Sequence, residues 1–155
     1  MYTTRKKSSG LEFLVPGMGN PLGLPYFDGG VSAGFPSPAD DFKEDRISLD
    51  RELVRDTEAT FFARVNGDSM QGAGMDDGDL LVIDKSIEAY DGCIAVCFVD
   101  GEFTVKRVQK EKDRIVLMPE NPKYRPIEIS GENSLVIWGV VTYVVKKLHF
   151  KNQHI

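Results

Sequence analysis

Short apolar-rich runs follow one another from residue 60 to residue 145, each closed by turn-forming residues. The pattern predicts strands over 60–66, 79–84, 93–99, 102–109, 114–119, 126–129 and 135–145. Asp76-Asp77-Gly78-Asp79 and Asp91-Gly92 are turn signals. Asp100-Gly101, set between two apolar runs, is a strong two-residue hairpin signal. Pro119-Glu120-Asn121-Pro122 interrupts the chain again. Regular short strands with such turns predict a mostly β fold, a curled antiparallel β structure with little helix. No internal repeat is visible.

The first forty residues differ in kind. They hold seven glycines and five prolines, and no run keeps a helical period. Such a segment buries too little apolar surface to offset its ordering entropy, so it reads as a flexible N-terminal arm. It carries apolar beads, among them Leu11, Phe13, Leu14, Leu22 and Leu24, that can dock on a surface. Residues 41–58 are charged, and Ile47 to Val54 fits either a short strand or a helical turn. The expected organisation is an arm over 1–40, a β-rich domain over 41–147 and a polar tail over 148–155.

Composition narrows the function classes. The 155 residues are 41% hydrophobic and 28% charged, normal for a globular chain. The net charge of −5 argues against sequence-independent nucleic-acid binding, which needs a basic face. Cys93 and Cys97 stand four apart in an apolar run and share one face of a strand. They read as small buried hydrophobes, and no Cys/His cluster offers a metal site. The basic start, Met1 to Gly10, runs into Glu12, Pro16, Gly17 and Gly19, too broken for a secretory signal. No transmembrane segment is read, and a cytoplasmic location is expected.

Two residues suggest chemistry. Ser69 lies in the polar turn Gly67-Asp68-Ser69-Met70, and Lys106 lies within the strand-like run Glu102 to Val108, 37 residues later. A serine hydroxyl is a poor nucleophile until a base takes its proton. A lysine serves as that base only where its surroundings lower its pKa from about 10.4. Each residue alone has an ordinary explanation, the serine as a turn residue and the lysine as the solvent side of a strand. Thr104, Lys106 and Val108 share a mixed face, which allows burial of the lysine. The histidines, His149 and His154, follow the last strand and are poorly placed for a triad. Gly72, three residues after Ser69, excludes a Ser-x-x-Lys motif. Asp76, Asp77 and Asp79 lack the central glycine and final glutamate of a calcium loop and read as a solvated turn.

Taken together, the blocks resemble a known family. Val65-Asn66-Gly67-Asp68-Ser69-Met70, Asp77 to Asp84, Asp100-Gly101-Glu102-Phe103-Thr104-Val105-Lys106 and Trp138-Gly139-Val140-Val141 occur in the order and spacing of the LexA/UmuD self-cleaving serine peptidases. Upstream, Ala33-Gly34-Phe35-Pro36-Ser37-Pro38-Ala39 resembles the family's cleavage segment. The similarity covers roughly residues 30 to 147 and is nearer the UmuD branch than the repressors. The repressors carry a helix-turn-helix domain before the cut. Only 33 residues precede it here, rich in Gly and Pro, and they are not expected to build three packed helices.

The resemblance implies a set of roles. Ser69 would attack the Ala33 carbonyl, Lys106 would act as general base, and backbone N–H groups at Ser69 and Met70 would hold the oxyanion. No cofactor or metal is implied. The implied partners are a RecA filament on single-stranded DNA as activator, a UmuC-like Y-family DNA polymerase, and a second copy of the chain in a homodimer. No direct sequence-specific DNA binding and no membrane are implied. The implied function is an SOS DNA-damage response subunit whose processed form serves translesion synthesis. The rival readings are a repressor-like autopeptidase without its DNA-binding domain, a signal-peptidase-type Ser–Lys enzyme, and a non-catalytic binding module on the same fold.

Overall fold

A computed structural model describes residues 3–8, 11–15, 23–27 and 44–149. The chain forms two compact units, Met1–Gly17 with Asp56–Ile155, and Met18–Arg55. In chain order the elements are β1 (Thr3–Ser8), β2 (Leu11–Val15), β3 (Gly23–Phe27), β4 (Glu44–Ser48), α1 (Leu49–Leu53), β5 (Thr60–Val65), β6 (Leu80–Asp84), β7 (Ile94–Val99), β8 (Glu102–Lys110), β9 (Ile115–Met118), β10 (Ile127–Ile129) and β11 (Leu135–Val145).

The larger unit is one antiparallel sheet in the order β1-β2-β5-β6-β11-β7-β8-β9-β10. The last strand, β11, inserts between β6 and β7 and ties the two halves together. Its register slips against β7 between Ile137 and Gly139, and against β6 between Val141 and Tyr143. Such slips are β-bulges, which bend a strand and increase its twist. The bulged Thr142 donates its hydroxyl to the Val82 carbonyl at 3.2 Å. Two bulges in a central strand help curl the sheet into a half-barrel. Gly139 sits between them, where a Cβ would stand 2.6 Å from Ile83 Cγ2.

Side-chain alternation divides the interior. Val96 of β7 joins Ala63, Leu81, Ile83 and Val105 in one core, together with Met70 and Met75. Ala95 and Cys97 of the same strand join Val108, Leu117 and Val140 in another. Cys93 and Cys97 are free and buried in this second core, as small hydrophobes. Burial pushes the Cys97 thiol up to about 12, so it stays protonated. The predicted Asp100-Gly101 hairpin is present, with φ of 46° and 89° at its two central residues. Both angles are positive, as a tight type I′ connection requires.

The strands expected from residue 60 onward all form, with ends shifted by at most one residue. The segment read as either strand or helical turn contains both, since β4 ends at Ser48 and α1 begins at Leu49. In the smaller unit, β3 and β4 pair antiparallel from Gly23↔Ser48 to Phe27↔Glu44.

The main difference lies at the start of the chain, where no strand was expected. β2 pairs with β5 from Leu11↔Val65 to Leu14↔Phe62, and β1 pairs with β2 outside it. Leu11 and Leu14 are buried. Phe13 meets Phe103 and Trp138 edge-on, with ring centroids 4.8 and 5.0 Å apart. Full burial of one such side chain contributes about 1.5–3 kcal/mol. Ordering one residue's backbone costs about 1–2 kcal/mol. Three apolar beads within four residues, together with a backbone ladder, are therefore enough to hold β2 despite the glycines and prolines around it.

Candidate active site

The turn between β5 and the next short helix carries Ser69. It begins at Gly67, whose φ of 103° favours glycine. The Gly67 N–H donates to Asp77 Oδ1 at 2.8 Å, and Val65 exchanges backbone bonds with Gly78 and Asp79. A 3-10 turn over Gln71–Ala73 follows, with the Gln71 N–H donating to the Asp68 carbonyl at 3.2 Å. The carboxylates suggestive of a calcium loop are occupied otherwise. Asp76 and Asp79 both take Lys146 Nζ, and Asp79 also accepts the Asp76 N–H.

A second segment grips this turn from outside. The Glu120 N–H donates to the Ser69 carbonyl at 2.9 Å, and the Gly72 N–H to the Glu120 carbonyl at 2.7 Å. Asn121 Nδ2 donates to the Asp68 carbonyl at 2.8 Å, and the Tyr124 hydroxyl to Asp68 Oδ1 at 2.5 Å. At Gly72 a Cβ would stand 2.5 Å from the Glu120 oxygen. In the sequence alone, Pro119 to Pro122 reads only as a chain break and Gly72 only as a mismatch to another motif. Both serve to fix the serine's backbone.

Lys106 comes from the middle of β8, which pairs with β7 on one side and β9 on the other. Its side chain is 6% exposed. Nζ lies 3.0 Å from Ser69 Oγ, 2.8 Å from Thr104 Oγ1 and 3.0 Å from the Val105 carbonyl oxygen. Burial lowers the lysine's pKa from the ordinary value. The neighbouring Cys97 thiol, neutral at physiological pH, supplies no countercharge. A neutral amine has two N–H donors and one lone pair. Thr104 and Val105 can take the two donors, which leaves the lone pair for the serine hydroxyl. Thr104 was read from sequence only as a residue on the same face.

Ser69 and Lys106 line a cleft of about 510 Å³, with Leu11, Phe103, Thr104 and Tyr124 among its walls. Among the described residues, the backbone N–H groups of Asp68, Ser69 and Met70 have no hydrogen-bond partner. The arrangement is equipped to deprotonate a hydroxyl and to stabilise negative charge beside it. His149 is exposed beyond the last strand, and His154 lies outside the described residues. Ala33 and Gly34 also lie outside them. No group of three or more metal-ligating side chains occurs among the described residues. No helix among them is long and apolar enough to cross a membrane.

The sequence matches the Peptidase S24-like family over residues 25–142. The chain belongs to this family of self-cleaving serine peptidases. Within it, the relatives named SamA, MucA and ImpA are of UmuD type. Protein SamA of Salmonella typhimurium is 45% identical over 123 residues, 79% of this chain and 85% of SamA. Protein MucA of Escherichia coli is 42% identical over 121 residues, 77% of this chain and 82% of MucA. LexA repressor 1 of Geobacter sulfurreducens is 42% identical over 128 residues, 82% of this chain but 62% of the repressor.

Proposed function

We propose that this protein cuts its own Ala33–Gly34 bond, with Ser69 as nucleophile and Lys106 as general base. The observation that carries the reading is the 3.0 Å approach of Lys106 Nζ to Ser69 Oγ at a nearly fully buried lysine. Neutral Lys106 takes the hydroxyl proton as Ser69 Oγ attacks the Ala33 carbonyl carbon. Backbone N–H groups at Ser69 and Met70 stabilise the oxyanion, and each such donor contributes about 3–4 kcal/mol. The ammonium then protonates the departing Gly34 amine, leaving Ala33 as an ester on Ser69. Water, deprotonated by Lys106, hydrolyses the ester and restores the serine.

In this reading residues 1–40 are the substrate arm and 41–147 the peptidase domain. Holding substrate and nucleophile in one molecule gives a high effective concentration. Timing therefore needs control, and a RecA filament on single-stranded DNA supplies it by favouring the state in which the arm is docked for cleavage. The cut protein, a cytoplasmic homodimer, then assists a UmuC-like Y-family polymerase in translesion synthesis during the SOS response. The family membership and the UmuD-type relatives support this assignment.

Intact-mass measurement after alkaline incubation tests the chemistry. Wild type is expected to yield fragments 1–33 and 34–155, and Ser69→Ala neither. Cleavage that persists in Ser69→Ala would remove the serine from the mechanism. RecA filaments added at neutral pH should accelerate the same cut, and a cut at another bond would refute the assignment of Ala33–Gly34.

A further inference from the structure

We infer that cutting the Ala33–Gly34 bond does not by itself release the N-terminal piece: residues 1–33 stay on the protein, docked non-covalently through β2 on the edge of β5. The inference rests on the self-cleavage reading for the position of the cut. It rests on the fold for everything else.

The cut falls in the connection between β3 and β4, which pair antiparallel over five residue positions. Severing that connection breaks neither strand ladder. Upstream, β2 pairs with β5 over four positions, Leu11↔Val65 to Leu14↔Phe62. Loss of β2 would leave that edge of β5 with unpaired N–H and C=O groups.

The side chains argue the same way. Leu11 is 2% exposed and belongs to the core that contains Ala63, Val65, Met70 and Met75. Phe13 packs edge-on against Phe103 and Trp138, and Trp138 in turn meets Phe61 at 4.8 Å. The piece that a cut would free therefore carries part of the protein's own core. Its departure would expose an aromatic cluster and open the cleft wall that Leu11 shares with Ser69.

The product of cleavage is then a nicked, two-chain protein.

The test uses full-length Ser69→Ala protein in which a site-specific protease sequence replaces part of the segment between β3 and β4. Added protease makes the cut, and mass measurement in denaturant confirms it. Native mass spectrometry and size exclusion should then show both pieces in one particle. The C-terminal piece running alone would overturn the inference. Because the cut does not depend on Ser69, failure of self-cleavage and failure of retention are separate results. Phe13→Ala in the same protein should speed loss of the fragment at least about tenfold, from the burial it removes. Equal retention with and without the Phe13 ring would overturn the assignment to β2. The thermal transition of uncut Phe13→Ala checks that the variant is folded.

Discussion

The turn that carries Ser69 and the strand that carries Lys106 are held in different ways. β8 is fixed by its own ladders, with β7 and β9 as neighbours. Lys106 inherits that rigidity directly, and Thr104, two residues back on the same face, steadies its amine. The Ser69 turn has no strand ladder of its own. Its backbone is held by Asp77 and by the 120–124 segment, some fifty residues further along the chain. In the proposed mechanism the base is thus placed by local pairing, whereas the nucleophile depends on distant contacts. The comparison says where each half of the site should fail.

The largest effect is expected from Lys106→Ala. It should slow cleavage by about 10²–10⁴-fold, the range for loss of a general base. The thermal transition should persist, because β8 keeps both ladders. A variant that still cleaves at the wild-type rate would break the comparison by removing the base.

Gly72→Ala comes next and attacks the turn from its rigid side. The added Cβ meets the Glu120 carbonyl at 2.5 Å. The expected cost is about 1–3 kcal/mol of stability, with slower cleavage. Gly131→Ala is the matched control, since nothing lies within 4 Å of its added Cβ. It should change stability by less than about 0.5 kcal/mol. Equal denaturation midpoints for the two variants would show that the 120–124 segment does not press on the turn.

Asn121→Ala removes the donor to the Asp68 carbonyl without steric conflict. A loss of about 1 kcal/mol is expected, and a slowing of cleavage up to about tenfold if that energy positions the serine. Unchanged kinetics with reduced stability would make Asn121 structural only.

The smallest effect is one of pH on stability. Burial lowers the folded pKa of Lys106, so the unfolded chain binds more protons between that value and the ordinary one. Stability from this group therefore rises with pH through that window and levels off above the ordinary lysine value of about 10.4. Lys106→Met has no such penalty. Its advantage over wild type in urea unfolding should shrink as pH rises, and an advantage that grows would reverse the sign of the argument.

Much of this fold was legible because its signals are local. Asp100-Gly101 announces a hairpin, and the seven apolar runs from residue 60 onward become seven strands. The serine and lysine stood out through the blocks around them, which resemble those of the LexA/UmuD family. The clamp on the serine was not legible, because Gly72 and Glu120 meet only when the sheet has curled. The first three strands escaped notice, β2 for a related reason. Leu11-Glu12-Phe13-Leu14 is short and flanked by glycine and proline, and it becomes a strand through the β5 edge it finds. Thr104 had no chemical signal of its own until Lys106 was seen to lean on it.

The central claim is that a neutral, buried Lys106 activates Ser69. The most direct test is the rate of self-cleavage between about pH 6 and pH 10, followed by intact mass in wild type and Lys106→Ala. The account predicts a rate that climbs with pH and levels off below the ordinary lysine pKa, with no such rise in the variant. A profile that is flat or falls with pH, or the same rise in Lys106→Ala, would contradict it.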